Sequence, residues 1–255
     1  MSRRIIRDAE RERAEQERLQ ARIGRAGMNA IRAEIQRESK RLIAGWAATG
    51  TVPQPTDHEK RIEATLNQIH TVSIRTFSER FESQIKSTTP ATLKASGNPL
   101  YDRLVQFYIA TFGGAKIAPD ISKTTRDIIV RTIARGKKNG DSNDEIASSM
   151  RARVSQLSTA RSAVISRTEV HNSSNYALLE TAKESGVVSS KEWVSGSDDR
   201  VRDGEFDHVD ANGQIALINE PFIVSGEELM FPGDPSGSAG NVINCRCAQV
   251  FLVDD

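Results

Sequence analysis

Apolar side chains are sparse and regularly spaced through the first 45 residues. Ile5, Ile6, Ala9, Leu19, Ile23, Met28, Ile31, Ile35 and Leu42 form a thin stripe against a background of Arg and Glu. This predicts one long helix over 3–45, with Gly24 and Gly27 each weakening its middle by up to about 1 kcal/mol relative to Ala. A stripe this narrow suits a helix laid on a partner rather than one buried in its own domain; a solvated tail is the plainer alternative. Gly50 to Pro55 interrupts the pattern. A second helical period covers 57–86, through Ile62, Leu66, Ile69, Val72, Ile74, Phe77, Phe81 and Ile85. After a polar loop at 87–99, a helix over 100–112 turns Leu104, Val105, Tyr108 and Ile109 inward and ends at Gly113-Gly114.

Beyond Pro119 the punctuation tightens. Asp120 or Ser122 is placed to cap a helix through Arg135, closed by Gly136 to Gly140. Ser142-Asn-Asp-Glu145 is a capping box ahead of Ile146, Ala147, Met150 and Val154. A further helix is expected from near Ser158 to Ser185, with Ala160, Val164, Ile165, Val170, Ala177 and Leu178 on its buried face. From Val187 the period shifts towards strands, at 191–194, 213–218, 221–224 and 244–253, with a Pro- and Gly-rich loop at 231–240. The fold expected is α+β: a helical N-terminal part with a long arm helix, then two to three helices packed on a small antiparallel sheet. The boundaries read as 1–50 for the arm, 51–118 for a helical region and 119–255 for the C-terminal domain.

Composition sharpens this picture. Hydrophobic content of 37% and aromatic content of 5% are low for a single dense core, so parts of the chain should bury little. The net charge of +1 conceals an asymmetry: residues 1–45 carry 12 Lys/Arg against 7 Asp/Glu, whereas Glu184 to Asp255 carry 4 against 14. A basic front can approach nucleic acid or an acidic protein, and an acidic tail is repelled by phosphate. Two cysteines exclude a secreted disulfide framework. No apolar run reaches the roughly 18–20 residues of a membrane span, and no signal-peptide core is visible, so the chain reads as a soluble protein made in a cytoplasm.

Candidate chemistry is concentrated in the last third. Cys245 and Cys247 are one residue apart on an expected strand, so their side chains share a face. With His208 they could ligate one structural zinc, the fourth position falling to Asp207, Asp210, His171 or water. Two buried reduced thiols are the alternative. Asp198, Asp199, Arg200 and Arg202 lie near Trp193 and read as an ion-pair network pinning a loop, with Arg202 and Asp199 the expected locking pair, rather than as a catalytic acid pair. Arg167 and Glu169 could meet Asp198 or Arg200 across a helix–sheet interface. A catalytic Glu169 or a His171-Asn172 nuclease element lacks a supporting motif. Arg3, Arg4, Arg7, Arg11 and Arg13, with Lys137 and Lys138 in a basic turn, are candidates for contacting DNA or an acidic partner.

Four blocks in order give these residues a common setting. They are Gly140 to Met150; Arg161-Ser-Ala-Val-Ile-Ser-Arg-Thr-Glu169; Trp193, Asp198-Asp-Arg-Val-Arg202, His208 and Gly213-Gln214; and Pro221-Phe222, Phe231-Pro-Gly-Asp-Pro235 and Asn244-Cys-Arg-Cys247. Together they resemble the Mu F-like head-morphogenesis family of phage minor capsid proteins, over roughly residues 120–253. Ser162 stands where the family pattern has Ala, and the gap from Arg202 to His208 is longer than in the family. The resemblance implies a minor head protein, not an enzyme, located in the virion at the head interior or portal vertex. Its partners would be the portal protein and the major capsid or scaffold proteins, with double-stranded DNA as a further candidate and no membrane. A DNA-binding virion protein, or a transferase or nuclease effector carried in the head, are the competing classes.

Overall fold

Long helices dominate because strong helix formers fill 9–185 with few breakers. The computed structural model describes residues 3–4, 8–54, 56–88, 97–196 and 201–253. Five helices come first: α1 (Ala9–Thr49), α2 (His58–Thr88), α3 (Asn98–Phe112), α4 (Gly114–Asn139) and α5 (Asn143–Ser185). The strands are β1 (Arg3–Arg4), β2 (Val188–Val194), β3 (Ile215–Leu217), β4 (Phe222–Val224), β5 (Glu227–Leu229) and β6 (Ala248–Val253), with a short α6 (Ala239–Val242) ahead of β6. The α+β class expected from the pattern is the class observed.

Several boundaries differ from the expectation. α1 begins at Ala9, where the Asp8 carboxylate accepts the Arg11 N–H at 2.9 Å as an N-terminal cap. Arg3 and Arg4 therefore precede the helix and pair antiparallel with Val253 and Leu252 of β6. α4 starts at Gly114 and carries Pro119 inside it, so that proline does not mark the helix start. The capping box forms as drawn: the Glu145 carboxylate accepts the Ser142 N–H at 2.7 Å, and the Ser142 hydroxyl accepts the Glu145 N–H at 3.3 Å. The helix it opens runs unbroken to Ser185, with no restart near Ser158.

The buried face of α5 is the expected one at Val170, Ala177 and Leu178, all fully buried, but differs nearer the start of the helix. Ser158, Ser162 and Ser166 are buried, whereas Val164 is 37% exposed and Ala160 is exposed. The serine hydroxyls bond back to their own helix, Ser162 to the Thr159 carbonyl at 3.1 Å and Ser173 to the Glu169 carbonyl at 2.6 Å. These two hydroxyls are thereby satisfied within the helix, and a small side chain permits close packing.

Contacts divide the chain into two compact units, one formed by 1–24, 69–111 and 167–255, the other by 25–68 and 112–166. The second unit has a core of Leu42, Ile43, Trp46, Ile129, Ile133, Ile146, Ala147 and Met150. Ile31 and Ile35 of α1 are fully buried as well. The stripe of α1 is thus covered by the chain itself at Ile31, Ile35 and Leu42, while Leu19, Ile23 and Met28 stay partly exposed. Gly114 allows the close approach of α4 to α2: a Cβ there would lie 2.6 Å from the Glu63 carbonyl oxygen. Around it, Glu34 pairs with Arg61 at 2.9 Å and Glu38 with Arg41 at 2.6 Å. Burial of Glu38 opposes its ionisation, but the Arg41 bond and the charges of Arg41, His58 and Arg61 outweigh it and hold the carboxyl below its ordinary range.

The first unit contains the sheet, ordered β1-β6-β2-β3 with every pairing antiparallel. β6 is buried along its whole length, and Phe251 packs on Phe81 with ring centroids 4.7 Å apart. β4 and β5 form a separate hairpin whose turn residues, Ser225 and Gly226, both have positive φ (51° and 78°). Such a turn matches the natural twist of the two strands. The N-terminal end of α1 joins this unit through polar contacts: Arg80 grips the buried Glu12 at 2.5 and 2.8 Å, and Gln16 donates to the Gln249 carbonyl at 3.2 Å. Among the described residues no helix is long and apolar enough to cross a membrane.

Candidate metal centre

The apolar cluster beneath the sheet consists of Trp193, Ala211, Phe222, Val224, Leu229 and both cysteines. Cys245 and Cys247 are free thiols in the extended segment just before β6, not within the strand. Their shared face survives that shift: with His208 they form a buried group whose ligand atoms all lie within 4.8 Å of one another. His208 Nδ1 is 3.6 Å from the Cys245 sulfur and 3.4 Å from the Cys247 sulfur. On its other side, His208 Nε2 is 3.1 Å from Asn241 Oδ1, and Asn241 donates to the Val224 carbonyl at 3.3 Å. The Trp193 ring meets the His208 ring edge-on, centroids 5.7 Å apart.

The two thiols divide their acidity. A hydrogen bond from Cys247, helped by His171 and His208, holds Cys245 well below the usual thiol range against the opposing effect of burial. Cys247 is pushed up by its bond to Cys245 and by burial. Of the other expected ligands, His171 is buried, its ring near Gln20 and Asn175, and is not among the three residues whose ligand atoms lie within 4.8 Å of one another. Asp207 accepts the Val209 and Asp210 N–H groups at 2.8 and 2.9 Å, and Asp210 is exposed.

A scaffold of motif residues positions the cysteines. Asn244 adopts φ 64°, a left-handed conformation that Asn tolerates better than most residues. Its N–H donates to the Thr168 hydroxyl at 3.0 Å, and its side-chain oxygen accepts from Arg167. The Arg-Thr of α5 thus anchors the turn leading into Cys-Arg-Cys. Arg202 donates to the Asn241 carbonyl at 3.1 Å and also to the Ile243 carbonyl, bracing the same turn from the other side. Asp234, in Pro-Gly-Asp-Pro, is a buried staple: one oxygen accepts the Met230 N–H at 2.8 Å, the other the Ser236 N–H at 2.9 Å.

Not every expected pairing is seen. Asp198, Asp199 and Arg200 lie outside the described residues, so the Arg202–Asp199 lock and any contact of these residues with Arg167 or Glu169 lie there too. Glu169 pairs with His70 at 2.9 Å, deep in the unit, and Arg167 turns to Asn244. Sequence reasoning missed His70, Asn241 and Lys191, since none carries a local motif. Lys191 is fully buried, with Nζ 2.6 Å from the Met230 carbonyl and 4.9 Å from the Phe222 ring centre. Burial, with the nearby Lys183 charge, brings its pKa down to about 8 against the pull of Asp234, Glu180 and Glu220.

The basic candidates also separate. The Arg13 side chain is only 11% exposed and is ion-paired with Glu10 and Glu17 at 3.4 and 3.3 Å, so it is not offered to a ligand. Arg11 is exposed and pairs with Glu15. Lys137 and Lys138 are exposed in the last turn of α4. The backbone of Arg3 and Arg4 is in β1, not on a helix face, and Arg7 lies outside the described residues.

Taken together, these contacts define a helix-supported α+β module closed around a buried His-Cys-Cys cluster. Residues 127–250 match the family described as Phage Mu protein F like protein, which supports the resemblance read in the motifs over this stretch. The chain is also 27% identical over 141 residues to the uncharacterized protein YqbB of Bacillus subtilis (strain 168), covering 54% of this chain. It spans about half of that relative's length (46%). No solved structure gives a significant match.

Proposed function

We propose that the chain is a minor component of a phage head that acts in head assembly by binding rather than by catalysis. One observation carries the reading: in the Mu F-like stretch, the motif side chains are used on one another. Arg167 and Thr168 hold Asn244, Arg202 braces the Asn241–Ile243 turn, and His208 sits on both cysteines. Residues engaged this way hold a fold; a catalytic site needs its base and nucleophile presented to a substrate. Glu169 and His208, the two strongest candidates for an effector enzyme, are 7% and 2% exposed. By analogy with the head-morphogenesis family, the partners are the portal protein and major capsid or scaffold proteins, and the location is the head interior or portal vertex.

A second reading, contact with packaged double-stranded DNA, is favoured by the exposed Lys137 and Lys138 turn. Deleting residues 1–45 would be a poor test of docking, because Glu12 and Gln16 support the first unit. The test uses the whole chain. In lysates of a strain producing the phage, it should co-sediment with density-purified heads at a fixed, low ratio to the major capsid protein. Heads of normal composition and infectivity assembled without it would end the proposal.

A further inference from the structure

We propose that His208, Cys245 and Cys247 bind one zinc ion as a structural centre of the first unit. The inference does not depend on the head-assembly reading. The distances suit the ion: with Zn–S near 2.3 Å and Zn–N near 2.0–2.1 Å, a tetrahedral N···S edge is about 3.5 Å. The two edges here are 3.6 and 3.4 Å.

The orientation of His208 points the same way. Asn241 uses its amide nitrogen on the Val224 carbonyl, which leaves its oxygen as the acceptor for His208 Nε2–H. Nδ1 then carries a lone pair directed at both sulfurs. A single cation placed between them would engage all three groups at once. Asn241 then accepts from the ring nitrogen facing away from the ion, the hydrogen bond that orients a metal-bound histidine.

Charge balance completes the argument. The three ligands are 2 to 3% exposed, and isolated charge there would be costly. Two thiolates and a neutral imidazole neutralise a divalent cation within the site. Soft sulfur with imidazole nitrogen in a tetrahedral arrangement selects zinc over hard, oxygen-seeking cations. The three protein donors leave the fourth position open to water.

The test uses the full chain purified without chelator. Elemental analysis should find one zinc per chain, and replacement by cobalt(II) should give tetrahedral thiolate–cobalt absorption that Cys245→Ser diminishes. Because ligand variants may not fold, Asn241→Ala provides a second arm. It should retain the wild-type circular dichroism spectrum but lose zinc to a competing chromophoric chelator at roughly 10- to 100-fold lower affinity. In the wild type, chelation should lower the melting temperature and zinc should restore it. Folded wild-type chain that takes up well under one equivalent from zinc-supplemented buffer, with a melting temperature indifferent to chelator, overturns the proposal.

Discussion

Lys191 shows how one buried charge ties stability to pH. Its ammonium has a carbonyl and an aromatic face for company, and no carboxylate within ion-pair distance among the described residues. The folded pKa of about 8 lies below the ordinary 10.5. Below pH 8 the lysine is protonated in both states, and the folded chain carries the full cost of burying that charge. Between about 8 and 10.5 the unfolded chain holds a proton that the folded chain has released, so stability rises with pH by up to about 1.4 kcal/mol per unit. Lys191→Met should remove that rise. Denaturant melts of wild type and variant across pH 7–10.5 should therefore show the variant's relative advantage shrinking as pH increases. A constant difference between the two would mean that Lys191 does not titrate in this range.

At the scale of elements, α5 sets apart what the sequence disclosed from what it hid. The capping box was legible because both of its partners are local, and the helix it opens begins where they predict. The buried face was legible at Val170, Ala177 and Leu178 but not in the preceding turns. Periodicity counts apolar residues, and α5 there buries Ser158, Ser162 and Ser166, the first two with hydroxyls bonded back to their own helix. In the same way, the cysteine pair and His208 could be grouped from their chemistry, but Asn241 and His70 acquire roles only through contacts made across the fold. Asn244 was visible as part of a motif, yet its left-handed backbone and its grip on Arg167 and Thr168 were not. A pair of substitutions tests those turns. Ser162→Leu should overpack a fully buried position and cost about 1–3 kcal/mol. Val164→Ser, on the exposed side, should stay within about 0.5 kcal/mol of wild type. Equal effects in thermal or denaturant unfolding would return Val164 to the core.

For the molecule as a whole, charge segregates by compact unit as well as along the chain. The unit made of 25–68 and 112–166 carries 17 Lys/Arg against 10 Asp/Glu, a net +7, while the other carries 18 against 24, a net −6. The overall +1 therefore describes neither part. Many arginines in the first unit, such as Arg13 and Arg80, are committed to internal ion pairs, which leaves any field for a polyanion to the second unit. If DNA is a ligand, the logarithm of its affinity should fall linearly with the logarithm of salt, by about 0.9 per phosphate neutralised. Replacing both Lys137 and Lys138 by Ala should reduce that slope by up to about 2, with the fold intact because both side chains are exposed. Replacing Arg11 and Lys183 of the other unit should leave it nearly unchanged. Titrating the full chain into a labelled duplex of arbitrary sequence at several salt concentrations separates the cases. A slope carried by the Lys137–Lys138 turn supports contact with packaged DNA. Absence of salt-sensitive binding would remove double-stranded DNA as a ligand of the basic unit.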